Sequence, residues 1–156
     1  MRRPLFLVGL QLLAVTAAWA GDVSFVRVWP GWRDEDPFMR ISEYFTGHVN
    51  MGGRIILRTQ PQARAGFYFL VRVRTDRRLI TGAHFAVSVI IPASPEPETF
   101  DFPTDIPAGG KVYQLGLTGI DWPGKKTYPV AWKLDLIGSD GALLATQQSF
   151  LWSKPN

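Results

Sequence analysis

The stretch GFYFLVRVRT, residues 66–75, decides the fold class of this 156-residue chain. Every second residue in it is apolar, and the intervening positions end in Arg72 and Arg74. This alternation is typical of a β-strand with one face toward a core. We therefore predict a strand over Gly66–Thr75, whose inward residues are Phe67, Phe69, Val71 and Val73.

The next segment repeats the pattern. Residues 83–91 place Phe85, Val87 and Val89 on one face, and Pro92 ends the run because proline cannot donate to a sheet ladder. Two consecutive alternating strands with a short polar connection are typical of a hairpin. We therefore predict that 66–75 and 83–91 pair across residues 76–82.

A second hairpin is predicted near the C-terminus. Val130 to Ile137 alternates with Trp132 inward, Ser139-Asp140-Gly141 supplies turn residues, and Ala142 to Trp152 returns as a strand. The proline-rich segment 92–98 is predicted to be extended, either as an edge segment or as a crossing segment. Weaker strands are predicted at Val23–Trp29, Phe38–Phe45, Arg54–Arg58, Thr99–Phe102 and Lys111–Thr118.

About eight or nine short strands, with no sustained helical period, predict an all-β protein made of two packed antiparallel sheets. The order of the strongest strands resembles an immunoglobulin-like β-sandwich, with Tyr128 in the position of a tyrosine corner. This resemblance is one of fold, and it implies no particular function. We predict one such domain over residues 21–156.

The composition agrees with a packed domain. Apolar residues make up 46% of the chain, aromatic residues 13% and charged residues 19%. There is no cysteine, which excludes disulfides, thiolate metal sites and cysteine nucleophiles.

The first twenty residues have the pattern of a signal peptide. Arg2 and Arg3 precede an apolar stretch, and Ala18-Trp19-Ala20 places small residues two apart before Gly21. We therefore expect cleavage after Ala20, no stable membrane insertion afterwards, and a bacterial periplasmic or secreted location. Cleavage removes two positive charges from a formal net charge of +4.

Catalytic and metal-binding motifs are absent from the sequence. None of the common nucleophile, nucleotide or zinc patterns is present, and we predict no enzyme activity and no cofactor. A copper site would have to use Met39, His48, Met51 and His84, whose spacing matches no carrier pattern that we recognise. The acidic run Asp34-Glu35-Asp36 lacks the spacing of a calcium loop, so we interpret it as a solvated turn.

Three tryptophans offer a binding hypothesis. Trp29 and Trp32 flank Pro30-Gly31, and Trp122 precedes Pro123-Gly124, so all three are predicted in or beside turns. Exposed indoles can stack on sugar rings while nearby carboxylates, here Asp34 and Asp36, orient hydroxyl groups. On this hypothesis, Trp32→Ala and Trp122→Ala each weaken polysaccharide binding and leave stability nearly unchanged. The alternative is that these indoles plug the open ends of the sandwich, in which case both changes destabilise the protein.

The second binding hypothesis rests on arginine. Arg72 and Arg74 project from one face of a strand, and planar guanidinium groups recognise carboxylates and phosphates. Nucleic acid is not expected, because a small net charge gives little long-range field.

These observations predict an exported, non-catalytic module that works by contact in the bacterial envelope, with a protein or polysaccharide partner. A carbohydrate-binding module that uses the loop tryptophans is the alternative. An exported metal carrier or enzyme, with a site assembled across strands, is the second alternative.

Overall fold

A computed structural model describes residues 22–35, 53–77 and 79–153. The predicted signal peptide, the strand predicted at Phe38–Phe45 and the candidate residue Asp36 lie outside these ranges. No helix within the described ranges is long and apolar enough to cross a membrane.

The described residues form eight strands in two sheets of four. In chain order they are β1 (Val23–Arg33), β2 (Arg54–Arg58), β3 (Gly66–Thr75), β4 (Leu79–Ile91), β5 (Ser94–Pro107), β6 (Lys111–Thr118), β7 (Ala131–Ile137) and β8 (Leu143–Gln148). Sheet A has the order β1-β3-β6-β2 and sheet B the order β5-β4-β7-β8. Short 3₁₀ turns at Gly119–Asp121 and Phe150–Ser153 follow β6 and β8.

The all-β sandwich predicted from alternation is confirmed, while its immunoglobulin-like class stays a prediction. One pair departs from the antiparallel expectation, because β2 runs parallel to β6 with Arg54 opposite Val112 and Arg58 opposite Gly116. Parallel neighbours need a crossover connection, and the long chain segment between β2 and β6, which includes β3, β4 and β5, supplies it.

The core lies between the two sheets and consists of the residues that alternation placed inward. Phe69, Val71, Phe85, Val87, Leu115, Leu134 and Leu136 are all fully buried. Trp132 has the predicted inward phase but is only partly buried, with its ring 5.6 Å from that of Phe69. The predicted phase of the strands is therefore correct.

The hairpin predicted between residues 66–75 and 83–91 is wrong. β3 pairs with β1 and β6 in sheet A, whereas β4 pairs with β5 and β7 in sheet B, so the chain crosses between the sheets after Thr75. Two strands with apolar inner faces can pair side by side or pack face to face, and alternation is the same in both arrangements. The second predicted hairpin is confirmed, since β7 pairs with β8.

Several strand ends also differ from the predictions, since β1, β4 and β5 are longer than expected and both strands of the C-terminal hairpin are shorter. β7 begins at Ala131, and Val130 is exposed instead of inward. β8 ends at Gln148. Ser149 still donates its backbone N–H to Trp132, and the chain then turns through 3₁₀ geometry over Phe150–Ser153. The proline-rich segment from Ser94 onward is extended and lies at the edge of sheet B, as predicted.

Candidate functional site

The outer face of sheet A carries a row of arginines. Arg27 on β1 lies directly across from Arg72 on β3. Arg72 is opposite Val112 on β6, and Val112 is opposite Arg54 on β2. With strands about 4.8 Å apart, the row crosses about 14 Å of sheet. Arg74 is two residues further along β3 on the same face. We call the exposed side chains of Arg27, Arg54, Arg72 and Arg74 the arginine face.

The arginine face has no carboxylate of its own. The four strands of sheet A contain no aspartate or glutamate. Among the described residues, no ion pair involves any of the four arginines, whereas Arg77 and Lys125 each pair with an aspartate. Like charges placed directly opposite on neighbouring strands are unfavourable. Within the described part of the chain, the positive charge of the face is therefore not compensated by an ion pair.

Trp29 belongs to this face and not to a turn. β1 continues through Pro30 and Gly31, which is tolerated because β1 is an edge strand and the missing proline N–H costs no ladder bond there. The guanidinium carbon of Arg27 lies 4.6 Å from the centre of the Trp29 ring. This cation–π contact holds Arg27 beside the sheet and leaves Trp29 39% exposed.

A groove of about 310 Å³ lies along the arginine face, lined by Val26, Arg72, Val73, Arg74 and Gly109. Its walls are formed by a bulge in β1 and by the turn between β5 and β6. A register shift between Phe25 and Arg27 leaves Val26 exposed at the bulge. The turn between β5 and β6 packs so closely that a Cβ on Gly110 would approach the backbone oxygen of Val73 to 2.0 Å.

The opposite end of the same face is closed. Tyr68 is 1% exposed, and its ring lies over Gly116, where a Cβ would come within 2.4 Å of it. Its hydroxyl accepts a hydrogen bond from Arg58 and donates one to the backbone oxygen of Arg64. Burial raises the pKa of Tyr68 above its usual value, with Arg58 opposing that shift. The accessible part of the face is therefore the part around Arg72.

Trp122 lies beside a turn, as predicted, but its indole is buried in the core. The exposed position that the carbohydrate hypothesis requires is therefore wrong. Trp122 is 5% exposed and stacks on Phe67 with ring centres 4.7 Å apart. The 3₁₀ turn Gly119–Asp121 folds the chain back over the open end of the sandwich and inserts the indole there. Its ring nitrogen is buried and has no hydrogen-bond partner among the described residues.

The three tryptophans do not form one platform. Trp32 has the inward phase of Val28 and packs against the core, whereas Trp29 lies on the outer face of the same strand. Since alternate residues of a strand point to opposite faces, no single sugar ring can stack on both. The flat tryptophan surface expected for the carbohydrate hypothesis is therefore not present.

Asp34 has a structural role at the end of β1. It accepts a hydrogen bond from the Trp32 ring nitrogen at 2.9 Å and forms an ion pair with Lys125 at 2.8 Å. The Lys125 contact, followed by that of Trp32, lowers the pKa of the Asp34 carboxyl, and Asp34 in turn raises the pKa of Lys125. Both charges are exposed, so the pair is a surface contact that links β1 to the loop after Trp122.

A second groove of about 490 Å³ lies on sheet B and is lined by His84, Asp101, Pro103, Thr104 and Asp105, with Gly82 and Ala83 at its end. Asp105 accepts a hydrogen bond from the backbone of Gly82. His84 lies on the outer face of β4, between β5 and β7. The described residues contain no cluster of three or more metal-binding side chains.

The structure thus separates the predicted site residues. Arg72, Arg74 and Trp29 share one face, Trp32 and Asp34 form a contact at the end of β1, and Trp122 is in the core. Sequence reasoning noted Arg54 only as a nearby arginine and missed Arg27 and the groove beside Gly109, because alternation does not reveal sheet order. Comparison with known proteins gives no further guide, since the chain matches no family model and no curated protein.

Proposed function

We propose that this protein is an exported, non-catalytic module of the bacterial envelope that binds an acidic partner through the arginine face of sheet A. The observation that carries the proposal is the row of Arg27, Arg72 and Arg54 on a sheet whose strands contain no carboxylate. Guanidinium groups that form no ion pair with a described residue are available to carboxylates or phosphates from outside. An acidic surface or polymer fits this face on charge alone.

The shape of the face supports binding by contact. It is open and crosses the full width of a four-stranded sheet. It combines arginines with the exposed apolar side chains of Trp29 and Val26. Arginine and tryptophan are the residue types most enriched at the centres of binding interfaces. The export part of the proposal rests on the signal-peptide pattern that ends at Ala20.

The proposal is tested by binding of the purified protein to two acidic polymers, polyglutamate and a polyuronate, at low salt. We expect Arg72→Glu to weaken both interactions at least tenfold, because it replaces attraction by repulsion at the centre of the row. Binding should also weaken as ionic strength rises, since exposed charges are screened over about 8–10 Å.

The matched control is Lys126→Glu, in the loop between Trp122 and Tyr128. It changes the net charge by the same amount at an exposed position outside the strands of sheet A. If both variants lose binding equally, the attraction depends on overall charge, and the arginine face is not the binding surface.

A further inference from the structure

We propose that the groove beside Arg72 and Arg74 is a subsite for a phosphate group, either free phosphate or the phosphomonoester of a lipid headgroup. This inference rests on the proposed function, because it names the chemistry of the acidic group that the arginine face receives. It goes further in assigning that group to one groove and two guanidiniums.

The argument starts with the spacing of the two arginines. Arg72 and Arg74 are two residues apart on one face of β3, so their Cα atoms are about 6–7 Å apart. Both line the same groove of about 310 Å³. Their side chains therefore approach one bound group from neighbouring positions.

The number of oxygens then favours phosphate over carboxylate. One guanidinium fork occupies both oxygens of a carboxylate, which has a single charge. A phosphomonoester has three free oxygens and close to two charges at neutral pH, so it can accept hydrogen bonds from two forks at once. Two guanidinium groups without ion pairs in one groove therefore match a phosphomonoester better than a carboxylate.

The surroundings leave room for such a group and add to its attraction. A Cβ on Gly109 would meet nothing within 4 Å, so this wall of the groove is open. Arg27 lies directly across from Arg72 and contributes a third positive charge. Two carboxylates, Asp22 and Asp76, flank these strand ends. Asp22 is paired with Arg77.

The test is a titration of the whole protein with inorganic phosphate, followed by the backbone amide resonances of Arg72, Arg74 and Gly109. Sodium acetate at matched ionic strength provides the carboxylate comparison. We expect saturable shifts at these three amides with phosphate and none with acetate. Equal responses to both anions, or small shifts spread over all basic residues, would overturn the phosphate subsite.

Charge-conserving variants separate fork geometry from simple attraction. Arg72→Lys and Arg74→Lys keep the positive charge but lose the planar pair of donors, and each should weaken phosphate binding about tenfold. Arg77→Lys is the matched control, because Arg77 follows the end of β3 and already pairs with Asp22. Unchanged affinity in both lysine variants would overturn the bidentate arrangement.

Vesicles identify the source of the phosphate. Phosphatidic acid exposes a monoester, whereas phosphatidylglycerol at matched surface charge exposes a diester. Preferential sedimentation with phosphatidic acid, competed by inorganic phosphate, supports the lipid headgroup. Phosphate shifts without that preference support a free phosphate ligand. If Arg72→Glu abolishes binding to acidic polymers while phosphate causes no shifts, the subsite is overturned and the contact function stands.

Discussion

At the residue scale, aromatic side chains close the two ends of the core. Phe67 contacts both Trp122 and Tyr128, with ring centres 4.7 and 6.0 Å away. Nearer the other end, Phe85 contacts Phe25 and Tyr113, at 6.3 and 4.9 Å. Such pairs contribute about 0.5–1.5 kcal/mol each beyond the area that they bury. The ends of the sandwich are therefore held by ring contacts between elements that are distant in sequence.

Truncation of Trp122 should therefore destabilise the protein. We expect Trp122→Ala to lower the free energy of unfolding by about 3–5 kcal/mol, because it removes a buried indole and its stacking on Phe67. Urea denaturation measures this change. Trp29→Ala, at a position that is 39% exposed, is the control and should cost far less. Similar midpoints for the Trp122 variant and the wild type would mean that the indole is not buried.

Tyr113 makes stability depend on pH in the alkaline range. Burial, reinforced by the charge of Asp105, raises the pKa of the Tyr113 hydroxyl to about 12, and the hydroxyl donates to the backbone oxygen of Asp105 at 2.7 Å. In the unfolded chain the same group titrates near 10. The stability that the protonated Tyr113 contributes is therefore fully present below pH 10 and is lost as the pH rises toward 12.

The expected loss from Tyr113 between pH 10 and pH 12 is about 2–3 kcal/mol. Tyr113→Phe has no hydroxyl to titrate, so its free energy of unfolding should fall less steeply over this range. Below pH 10 the variant should be less stable than the wild type by about 1 kcal/mol, since it lacks one hydrogen bond. Parallel pH profiles for the two proteins would show that Tyr113 titrates normally in the fold.

At the scale of elements, the connections fix how the strands are arranged. The turn between β5 and β6 joins sheet B to sheet A and contains Gly109 and Gly110, both with positive φ. At Gly110 the backbone of Val73 lies where a side chain would begin, but at Gly109 the same space is empty. Both positions therefore require a positive φ, and Gly110 is in addition closely packed against β3.

The two glycines allow backbone strain and packing to be separated. Gly109→Ala should cost about 1–2 kcal/mol, the expense of placing alanine at positive φ. Gly110→Ala has the same strain and in addition forces β3 away from the turn, so it should cost several kcal/mol more. Thermal denaturation of the two variants compares them directly. Equal destabilisation would indicate that the turn does not pack against Val73.

At the scale of the whole molecule, charge is divided between the two sheets. The strands of sheet A contain six arginines, one lysine and no carboxylate. Sheet B contains five carboxylates, four of them on β5, and one lysine. A small net charge therefore hides an uneven division of charge between the described strands of the two sheets. Under the proposed function, this division orients an acidic partner toward sheet A before contact.

Export makes a prediction about the mature chain as a whole. If the first twenty residues direct secretion, the protein recovered from the periplasm or medium of its host should begin at Gly21. Mass spectrometry of the intact protein measures this directly. The control is Ala18→Arg with Ala20→Arg, which removes the small residues at the cleavage site and should leave an uncleaved precursor. Recovery of the wild-type chain from the membrane with Met1 or Arg2 at its N-terminus would contradict the export proposal.

Local chemistry was enough to predict the strands, their inward faces and the sandwich. Phe69 and Val87 are buried because alternation along a strand is a local property of the backbone, and Ser139-Asp140-Gly141 joins a hairpin because its turn chemistry is local as well. Arg72 and Arg74 could be placed on one outer face for the same reason.

Tertiary structure decided which strands are neighbours, and with them the candidate site. Pairing within a sheet and packing between sheets bury the same apolar face, so residues 66–91 could not reveal that β3 and β4 belong to different sheets. Arg27 and Arg54 join Arg72 only through β1 and β6, and Trp122 enters the core only because a 3₁₀ turn folds over Phe67. These contacts join residues far apart in the chain, and their energies depend on partners that no local pattern specifies.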